Sequence, residues 1–307
     1  MSLRVVFLGT AGSIPTLQRG LPAIAVQRKG ELILFDCGEG VQRQMIRAGI
    51  GFHRKTKVLI THMHGDHVLG LPGLFQTMSL LDRERKLEVY GPSGIKAFVE
   101  ATQRTVQFTL TFPIEFFEIE DAGVVCKEKE YEVHAIWVDH VIPSLAYSLT
   151  EKPRPGRFHP EKARSLEVPE GFLWSKLQQG STVKLSNGRV VKPEEVLGPP
   201  RPGRKIVYTG DARPVENLVE FAENADLLIH DATFDDELWE RAREDGHSTP
   251  SQAAETAKKA GTKRLVLTHI SARYKDPSLL LEQAKKIFPR VDLAEDFMRI
   301  DLPLLDT

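Results

Sequence analysis

Residues 61–67 read Thr-His-Met-His-Gly-Asp-His (THMHGDH), and they follow directly on the apolar run Val58-Leu59-Ile60. Three of the ten histidines of the chain therefore fall within six positions, just after a run that is typical of a buried strand. Imidazole and carboxylate groups are costly to bury without partners, whereas a metal ion binds both as ligands. A solvated loop can collect histidines by chance, but this spacing favours a metal site.

The composition is that of an ordinary globular protein. The 307 residues are 41% hydrophobic and 27% charged, and the net charge is −1. No stretch approaches the roughly 20 consecutive apolar residues that a membrane-spanning helix needs, so we expect no membrane association. Two cysteines, Cys37 and Cys126, cannot build a disulfide framework, which predicts a reducing, cytoplasmic setting.

Short runs rich in Val, Ile and Leu alternate with amphipathic segments along most of the chain. The runs predict strands at RVVFLG, AIAVQ, ELILFD, KVLIT, LEVYG, IEFFEI, YEVHAIWV, SLAYSL, KIVYTG, ADLLIH and RLVLTH. Helices are predicted to begin near Glu39, Asp66, Pro92, Pro214, Asp235, Pro250 and Asp276. Thr249 and Gln252 predict a capping box for the helix at Pro250. We therefore predict an α/β fold in which sheets are covered by helices in a layered sandwich.

Apolar runs that end in His or Asp recur beyond the opening stretch. A single polar residue at a strand end is more often a turn former or a helix cap. Because the pattern repeats, we predict that several strands deliver ligands to one edge of the sheets. The residues concerned are Asp36, Asp139, His140, Asp211, His230, Asp231 and His269.

Residues 151–204 differ from the rest of the chain. Proline and glycine punctuate both ends, in EKPRPGR and LGPPRPGR. The segment contains 11 Lys or Arg and 6 Asp or Glu, a net charge of +5, against −1 for the whole chain. A basic segment is often only a solvated surface. On an otherwise acidic chain it favours a flexible nucleic-acid-binding arm, inserted into a single domain that spans residues 1–307.

Taken together, the motifs resemble the metallo-β-lactamase superfamily and, within it, the ribonuclease Z family of tRNA 3′-processing endonucleases. HxHxDH marks only the superfamily, whereas HDAT, HST and THISARY in this order narrow the resemblance to ribonuclease Z. The stretches that carry it span almost the full chain: FLGTAGSIPT, LILFDCGEGVQRQM, THMHGDHVLGLPGL, IVYTGDARP, IHDATF, HSTPSQAA and LTHISARY.

The resemblance implies both the fold and the metal ligands. The fold would be an αβ/βα four-layer sandwich of two mixed sheets with helices outside, plus a protruding basic arm at about residues 151–204. Two zinc ions per subunit are implied, although manganese fits the ligand types as well. His62, His64 and His140 would hold one ion, Asp66, His67 and His269 the other, and Asp211 would bridge them.

The resemblance also implies the reaction. A hydroxide generated at two metals would cleave the 3′ trailer from precursor tRNA, leaving a 3′-hydroxyl on the tRNA and a 5′-phosphate on the trailer. Asp66 would accept the proton of the attacking water. His247 would be the general acid, and Asp231 would orient it. Asp36 would orient a ligand histidine by accepting its second N–H.

RNA contacts are predicted in three regions. Arg273 and Tyr274 of SARY could bind a phosphate or a base, or could only pack against each other. The loop Pro15-Thr16-Leu17-Gln18-Arg19-Gly20 keeps the Pro and Arg of the P-x-K-x-R-N loop common in the family, but lacks its Lys and Asn. HDAT likewise replaces the more common HEAT. The predicted RNA-binding residues are Arg19, Arg273, Tyr274 and, in the arm, Arg154, Arg157 and Lys176.

The family further implies a homodimer in which the arm of one subunit holds the precursor tRNA that the other subunit cuts. Two other functions stay open on the sequence. A hydrolase on the same scaffold that acts on a small phosphodiester or a lactone would need the same metals but no basic arm. A non-enzymatic RNA-binding module would not need the complete ligand set that this chain keeps.

Overall fold

A computed structural model of the chain describes residues 3–304, and these divide into two compact units. The larger, here called the core unit, comprises residues 3–150 and 205–303. The smaller, here called the basic unit, comprises Glu151–Arg204. Whether the smaller unit acts as a flexible RNA-binding arm stays a prediction.

The strands of the core unit include every run that the sequence predicts. They are β1 (Leu3–Gly9), β2 (Ala11–Gly12), β3 (Ala23–Arg28), β4 (Glu31–Phe35), β5 (Lys55–Leu59), β6 (Leu87–Gly91), β7 (Ile114–Glu118), β8 (Gly123–Lys127), β9 (Tyr131–Val138) and β10 (Ser144–Glu151). After the two short strands of the basic unit, β11 (Val183–Lys184) and β12 (Val190–Val191), they continue with β13 (Lys205–Tyr208), β14 (Leu227–Asp231), β15 (Leu265–Thr268), β16 (Ile270–Ser271), β17 (Val291–Leu293) and β18 (Arg299–Leu302).

The helices of the core unit begin close to the predicted positions, whereas the three short helices of the basic unit were not predicted. They are α1 (Val41–Ala48), α2 (Gly65–Val68), α3 (Gly70–Leu80), α4 (Ile95–Val106), α5 (Pro160–Ser165), α6 (Phe172–Gln178), α7 (Pro193–Val196), α8 (Glu216–Phe221), α9 (Trp239–Asp245), α10 (Pro250–Lys259) and α11 (Ser278–Lys285). Thr249 and Gln252 form the predicted capping box of α10, so this prediction is confirmed. A 3₁₀ turn at Asp236–Leu238 precedes α9, and the side chain of Asp235 caps it.

Two seven-stranded mixed sheets form the middle of the core unit. The first has the order β18-β1-β3-β4-β5-β6-β7, and β4 to β7 run parallel. The second has the order β17-β15-β14-β13-β10-β9-β8, and β13, β14, β15 and β17 run parallel. β2 and β16 form a separate two-stranded parallel pair.

Three apolar clusters define four layers. Phe35 and Leu59 of the first sheet pack with Tyr147 and Ile229 of the second, so one cluster lies between the sheets. A second cluster joins the outer face of the first sheet to α1, α3 and α4. A third joins the outer face of the second sheet to the alanine-rich face of α10. The αβ/βα four-layer sandwich is therefore confirmed.

Several elements of the core unit were not predicted from the sequence. β2 and β16 have two residues each, too few to give a period-two pattern. β8, β17 and β18 lie at the edges of their sheets and carry partly exposed residues that break an apolar run. Among residues 3–304, we find no helix with both the length and the apolar character required to cross a membrane.

The basic unit has a small core of its own. β11 and β12 form an antiparallel pair, and α5, α6 and α7 pack around Ala163, Val168, Leu177 and Val196. The first and last segments of the basic unit are joined by reciprocal backbone hydrogen bonds between Arg154 and Arg201, at 2.8 and 2.9 Å. The basic unit is thus a folded unit with its own hydrophobic core.

A buried lysine on β5 lies among carboxylates. The side chain of Lys57 is 3% exposed, and its ammonium group donates to Glu88 and, at 2.9 Å, to Glu128, which directly follows β8 of the second sheet. Burial alone raises the pKa of both carboxyl groups, but hydrogen bonds outweigh it and hold each pKa below its ordinary value; Lys57 donates to Glu88, and Lys55 and Lys57 both donate to Glu128. Lys57 therefore joins the two sheets electrostatically.

Replacing Lys57 with methionine should lower the free energy of unfolding by roughly 2 kcal/mol at pH 7, because two carboxylates lose their buried partner. The lowered carboxyl pKa values stabilise the fold above the unfolded pKa of about 4.3, and this contribution disappears as the pH falls through the folded values. Urea unfolding should therefore show the deficit at pH 7 and a smaller one near pH 3. Lys86→Met, at a 51% exposed position, is the control and should change little. Equal effects of the two variants would contradict this account.

Candidate metal centre

The carboxyl ends of parallel strands from both sheets meet at one edge of the core unit, as the sequence predicts for its ligands. His62 and His64 follow β5, and α2 then carries Asp66 and His67. The remaining candidates follow three strands of the second sheet: His140 after β9, Asp211 after β13 and His269 after β15. The fold therefore brings together all seven predicted ligands.

Three imidazoles form a first group. The Nδ1 atom of His64 lies 3.0 Å from Nε2 of His62 and 3.2 Å from Nε2 of His140. Around a tetrahedral zinc with Zn–N bonds of 2.0–2.1 Å, neighbouring nitrogens are about 3.3 Å apart. The three atoms thus have the spacing of ligands to one ion.

Asp66, His67 and His269 form a second group. Oδ2 of Asp66 lies 3.6 Å from Nε2 of His67 and 3.5 Å from Nε2 of His269. The backbone N–H of Ser13 donates to the same oxygen at 2.9 Å and so fixes the carboxylate. This group has the composition of a site with mixed imidazole and carboxylate ligands.

Asp211 lies between the two groups. Its Oδ2 atom is 3.4 Å from Nε2 of His67, 3.2 Å from Nε2 of His269 and 3.7 Å from Nε2 of His62. The carboxylate is almost fully buried, and its Oδ1 atom has no hydrogen-bond partner among the described residues. Nε2 of His67 and Nε2 of His269 are likewise buried without a hydrogen bond. Buried polar atoms without partners are rare, and here they converge, so these residues form a metal-binding site.

The outward nitrogen of four of the five ligand histidines is held by the protein. Nδ1 of His67 donates to Asp36 at 2.8 Å, and Nδ1 of His140 donates to the carbonyl of Gly246 at 2.7 Å. Thr61 accepts from Nδ1 of His62 at 2.9 Å. Thr233 accepts from Nδ1 of His269 at 2.7 Å. These four bonds require the tautomers whose Nε2 atoms are free to bind a metal; His64 instead presents Nδ1.

Asp36 is the most heavily bonded of these partners. It is fully buried and accepts from His67, from the amide of Thr61 at 2.8 Å, and from the hydroxyl groups of Thr61 and Tyr208 at 3.0 and 2.8 Å. Tyr208 belongs to the second sheet, so one carboxylate connects both sheets to the centre. The structure places Asp36 against a ligand histidine, where the sequence predicted it.

Two glycines make room for ligand imidazoles. A Cβ atom at Gly12 would lie 2.7 Å from Nδ1 of His269, and one at Gly246 would lie 2.5 Å from Nδ1 of His140. Gly246 also has φ 84°, a left-handed conformation that favours glycine. Neither position tolerates a side chain without displacement of a ligand.

His247 and Asp231 form a pair beside the ligands. Nδ1 of His247 donates to Oδ2 of Asp231 at 2.9 Å, and the ring lines the cleft above the centre. Burial lowers the pKa of His247, but the charge and hydrogen bond of Asp231 outweigh it and raise the pKa to about 9. Asp231 is itself fully buried and accepts four hydrogen bonds.

Charge at the centre is distributed unevenly. Burial, followed by neighbouring histidines, lowers the pKa of His62. Burial likewise lowers the pKa of His67, but Asp211 and Asp36 reverse this and hold it well above the ordinary value. Burial raises the pKa of Asp66, whereas His269 and His67 bring it below its usual range. Burial also raises the pKa of Asp211, but His269 and His67 hold it well below its usual range. Both carboxylates of the centre are therefore ionised, as metal ligands must be.

A cleft of about 550 Å³ opens onto the centre. Among the residues that line it are His64, Asp66, His140, Asp211 and His247, together with the apolar side chains of Ile14, Val141 and Phe234. Arg273 also lines it, with its guanidinium 4.8 Å from the centroid of the Phe234 ring. Arg241 lines the cleft as well, so it combines a polar floor with an apolar rim and two exposed arginines.

The predicted RNA-binding residues differ in how they are held. Arg273 is exposed, but the hydroxyl of Tyr274 bonds to the amide and carboxylate of Asp235 at 2.8 and 2.9 Å. The guanidinium of Arg19 donates to Thr10 at 2.7 Å and to the carbonyl of Ala294. In the basic unit Arg157 and Lys176 are exposed and Arg154 is half-buried. Whether any of the six binds RNA stays a prediction.

Sequence reasoning did not find Thr61, Thr233, Tyr208 and Gly246 as partners of the site. Thr61 and Thr233 stand beside motif residues, in THMHGDH and HDAT, and a hydroxyl next to a ligand is the only local signal. Gly246 directly precedes His247, but its carbonyl meets His140 only through the tertiary fold.

Comparisons with known proteins agree with this geometry. Residues 187–270 match the model of a family described as "Beta-lactamase superfamily domain", and residues 3–148 match one described as "Anti-Pycsar protein Apyc1". The chain is 49% identical over 302 residues to Ribonuclease Z of Methanosarcina acetivorans, and the matched region covers 98% of this chain and 98% of the relative. It is 47% identical over 309 residues to Ribonuclease Z of Haloferax volcanii, covering 100% of this chain and 97% of the relative. The crystal structure of the short form of human tRNase Z superposes with a TM-score of 0.74 at 33% identity, covering 98% of this chain and 100% of the human chain.

Asp36→Asn should weaken metal binding by about 10- to 100-fold. Both oxygens of Asp36 accept hydrogen bonds, and an amide nitrogen in place of one of them cannot accept. Tyr208→Phe is the matched control, since it removes one donor and leaves the carboxylate, so its effect should be smaller. Competition with a coloured chelator measures the zinc affinity of both variants. Wild-type affinity in Asp36→Asn would show that the Asp36–His67 bond does not support the centre.

Proposed function

We propose a two-zinc mechanism for this chain, which belongs to the ribonuclease Z family and is an endoribonuclease of tRNA 3′ processing. The observation that carries the proposal is the meeting of two ligand groups at Oδ2 of Asp211, with buried Nε2 atoms directed at it. His62, His64 and His140 would hold one ion, Asp66, His67 and His269 the other, and Asp211 would be shared. Five imidazoles among seven ligands favour zinc, and manganese is the second choice.

Zinc ions bound there would supply a nucleophilic water at neutral pH and neutralise charge on the scissile phosphate. The chain then has to accept one proton and donate another. Asp66 is ionised, lines the cleft and is fixed by the amide of Ser13, so it is placed to accept the proton of the attacking water. The same side chain serves as ligand and base.

His247 is the proposed proton donor. Its Nδ1 is engaged by Asp231, which leaves Nε2 as the only ring position that can deliver a proton to the leaving oxygen. Protonation of the 3′ oxygen of the tRNA would release a 3′-hydroxyl and leave a 5′-phosphate on the trailer. The aspartate that replaces the more common glutamate still lies 2.9 Å from the imidazole, so the shorter side chain does not break this contact.

The RNA is proposed to bind at two distinct places. Arg273 is exposed at the cleft, where its guanidinium group would bind a phosphate next to the cut. Arg157 and Lys176 on the basic unit, with Arg154, would grip the tRNA body through its backbone. We further propose a cytoplasmic homodimer in which the basic unit of one subunit holds the tRNA that its partner cleaves.

The wild type should cut a precursor tRNA with a 3′ trailer once, beside the discriminator base, in the presence of zinc. His64→Ala should lose both the cut and bound zinc, because one ligand is missing.

His247→Ala should keep its zinc and lower kcat by about 10²- to 10⁴-fold, the usual contribution of a general acid. Gel analysis of end-labelled RNA and metal analysis measure these effects. A zinc-loaded wild type that hydrolyses bis(p-nitrophenyl) phosphate but leaves the RNA intact would favour the small-substrate hydrolase.

Charge reversal of the basic unit tests how the RNA is held. Arg157→Glu/Lys176→Glu should raise KM for precursor tRNA and leave hydrolysis of bis(p-nitrophenyl) phosphate unchanged, because the small diester has no tRNA backbone for the basic unit to bind. Lys285→Glu, an exposed lysine of the core unit, is the control. Mixing the reversed chain with His64→Ala should restore RNA cleavage if the unit acts on the partner subunit. Absence of restoration, with mixed dimers confirmed, would overturn action in trans.

A further inference from the structure

We propose that His230 and Thr209 are positioning residues for Asp231, because they replace two backbone hydrogen bonds that β14 loses where β13 turns away to deliver Asp211. The proposal rests on the role of the Asp231–His247 pair proposed above. It adds two residues, neither in contact with the ligand atoms of the centre, that hold this pair in place.

The lost bonds follow from the register of the parallel ladder. Ile206, Val207 and Tyr208 of β13 stand opposite Leu227, Leu228 and Ile229 of β14. The amide of Thr209 donates to the carbonyl of Ile229 at 3.0 Å. In a regular ladder, the amide of Asp231 would donate to the carbonyl of Thr209 and its carbonyl would accept from residue 211. Gly210, with φ 58°, turns the chain before this can happen.

Two side chains take the places of the missing ladder groups. The amide of Asp231 donates to Oγ1 of Thr209 at 3.2 Å, and the carbonyl of Asp231 accepts from Nδ1 of His230 at 2.8 Å. Since a carbonyl can only accept, Nδ1 of His230 carries the proton. Both backbone polar groups of the fully buried Asp231 are thereby satisfied, as burial requires.

The surroundings of His230 indicate no other function for its side chain. It is fully buried, and along β14 it follows the alternation of Leu228 and Ala232, which pack in the apolar layer with α10. Its Nε2 atom has no hydrogen-bond partner among residues 3–304. A proton relay through the ring would need a polar group on that nitrogen, so the bond at Nδ1 is what the buried imidazole provides.

The orientation of the Asp231 peptide affects both sides of the site. Oδ1 of Asp231 accepts from the hydroxyl of Thr233 at 2.6 Å, and the same hydroxyl accepts from His269. Oδ2 accepts from His247. A tilt of this peptide would move the imidazole that delivers the proton, and displacements of about 1 Å cost on the order of 10²-fold in rate.

Two matched pairs of variants test the proposal. In His230→Asn the amide nitrogen stands near the position of Nδ1, whereas in His230→Leu no donor remains. Thr209→Ser keeps the hydroxyl acceptor, whereas Thr209→Val has the same shape without it. For steady-state cleavage of precursor tRNA by the zinc-loaded enzyme, we expect the Leu and Val variants to lose on the order of 10²-fold in kcat with KM unchanged. The Asn and Ser variants should retain most of the rate.

A double-mutant cycle separates positioning from a general structural role. In an Asp231→Asn background, His230→Leu should cost little more, because the group it positions is already absent. An equal loss in both backgrounds, or a His230→Asn variant as slow as His230→Leu, would overturn the proposal. Melting temperatures of all variants identify any chain that fails to fold.

A readout without substrate distinguishes failure of this proposal from failure of the proposed function. The Nδ1 proton of His247, bonded to Asp231, should give a low-field proton resonance that persists in His230→Asn and shifts or broadens in His230→Leu and Thr209→Val. An unchanged resonance in His230→Leu would overturn the positioning role. Wild-type enzyme that shows the expected resonance pattern but does not cut precursor tRNA would overturn the proposed function alone.

Discussion

The metal centre depends on one constraint, namely that each buried imidazole that offers Nε2 to a metal must donate the N–H of its other ring nitrogen to an acceptor. His62, His67, His140 and His269 meet it with a threonine, an aspartate, a backbone carbonyl and a second threonine. Each acceptor is itself fixed by the fold, so the direction of every Nε2 atom is determined before an ion binds. Preorganisation of this kind keeps the ordering cost of metal binding low, because the ligands do not have to be collected from different conformations.

The positions of these acceptors explain why the ligands stand at strand ends. Within a strand, backbone groups are paired with neighbouring strands and are not available to side chains. Beyond the last ladder bond they become free, and side chains such as Asp36 and Asp231 can bond both to them and to imidazoles. Asp36, His269 and Ser13 have φ values of 55°, 61° and 58°, a conformation that costs a non-glycine residue of order 1–3 kcal/mol. Several hydrogen bonds at the same place offset that cost.

The sequence predicts the ligands better than their partners, for a physical reason. An apolar run followed by His or Asp is a local pattern, and a metal ion accounts for its chemistry, so His62 or Asp211 can be proposed from a few neighbouring residues. The acceptor for His140 lies 106 positions away in the chain, and only packing decides that it is the carbonyl of Gly246. Arg19 shows the opposite case. Its place in a family loop suggests RNA binding, while the structure uses its guanidinium to hold that loop to Thr10 and Ala294.

The basic unit is hard to interpret from the sequence because its elements are short, and α5, α6 and α7 have only six, seven and four residues. Packing nevertheless gives it an interior, in which the Trp174 ring lies 5.1 Å from that of Phe158 and donates its N–H to the carbonyl of Val168. This interior matters for the charges outside it. A basic tail without structure must be ordered when it binds RNA, and each immobilised side chain then costs about 0.5–1.5 kcal/mol in addition to the backbone. In the proposed complex, a folded unit would present Arg157 and Lys176 from an ordered backbone, so more of the favourable electrostatic free energy would remain as affinity for the RNA.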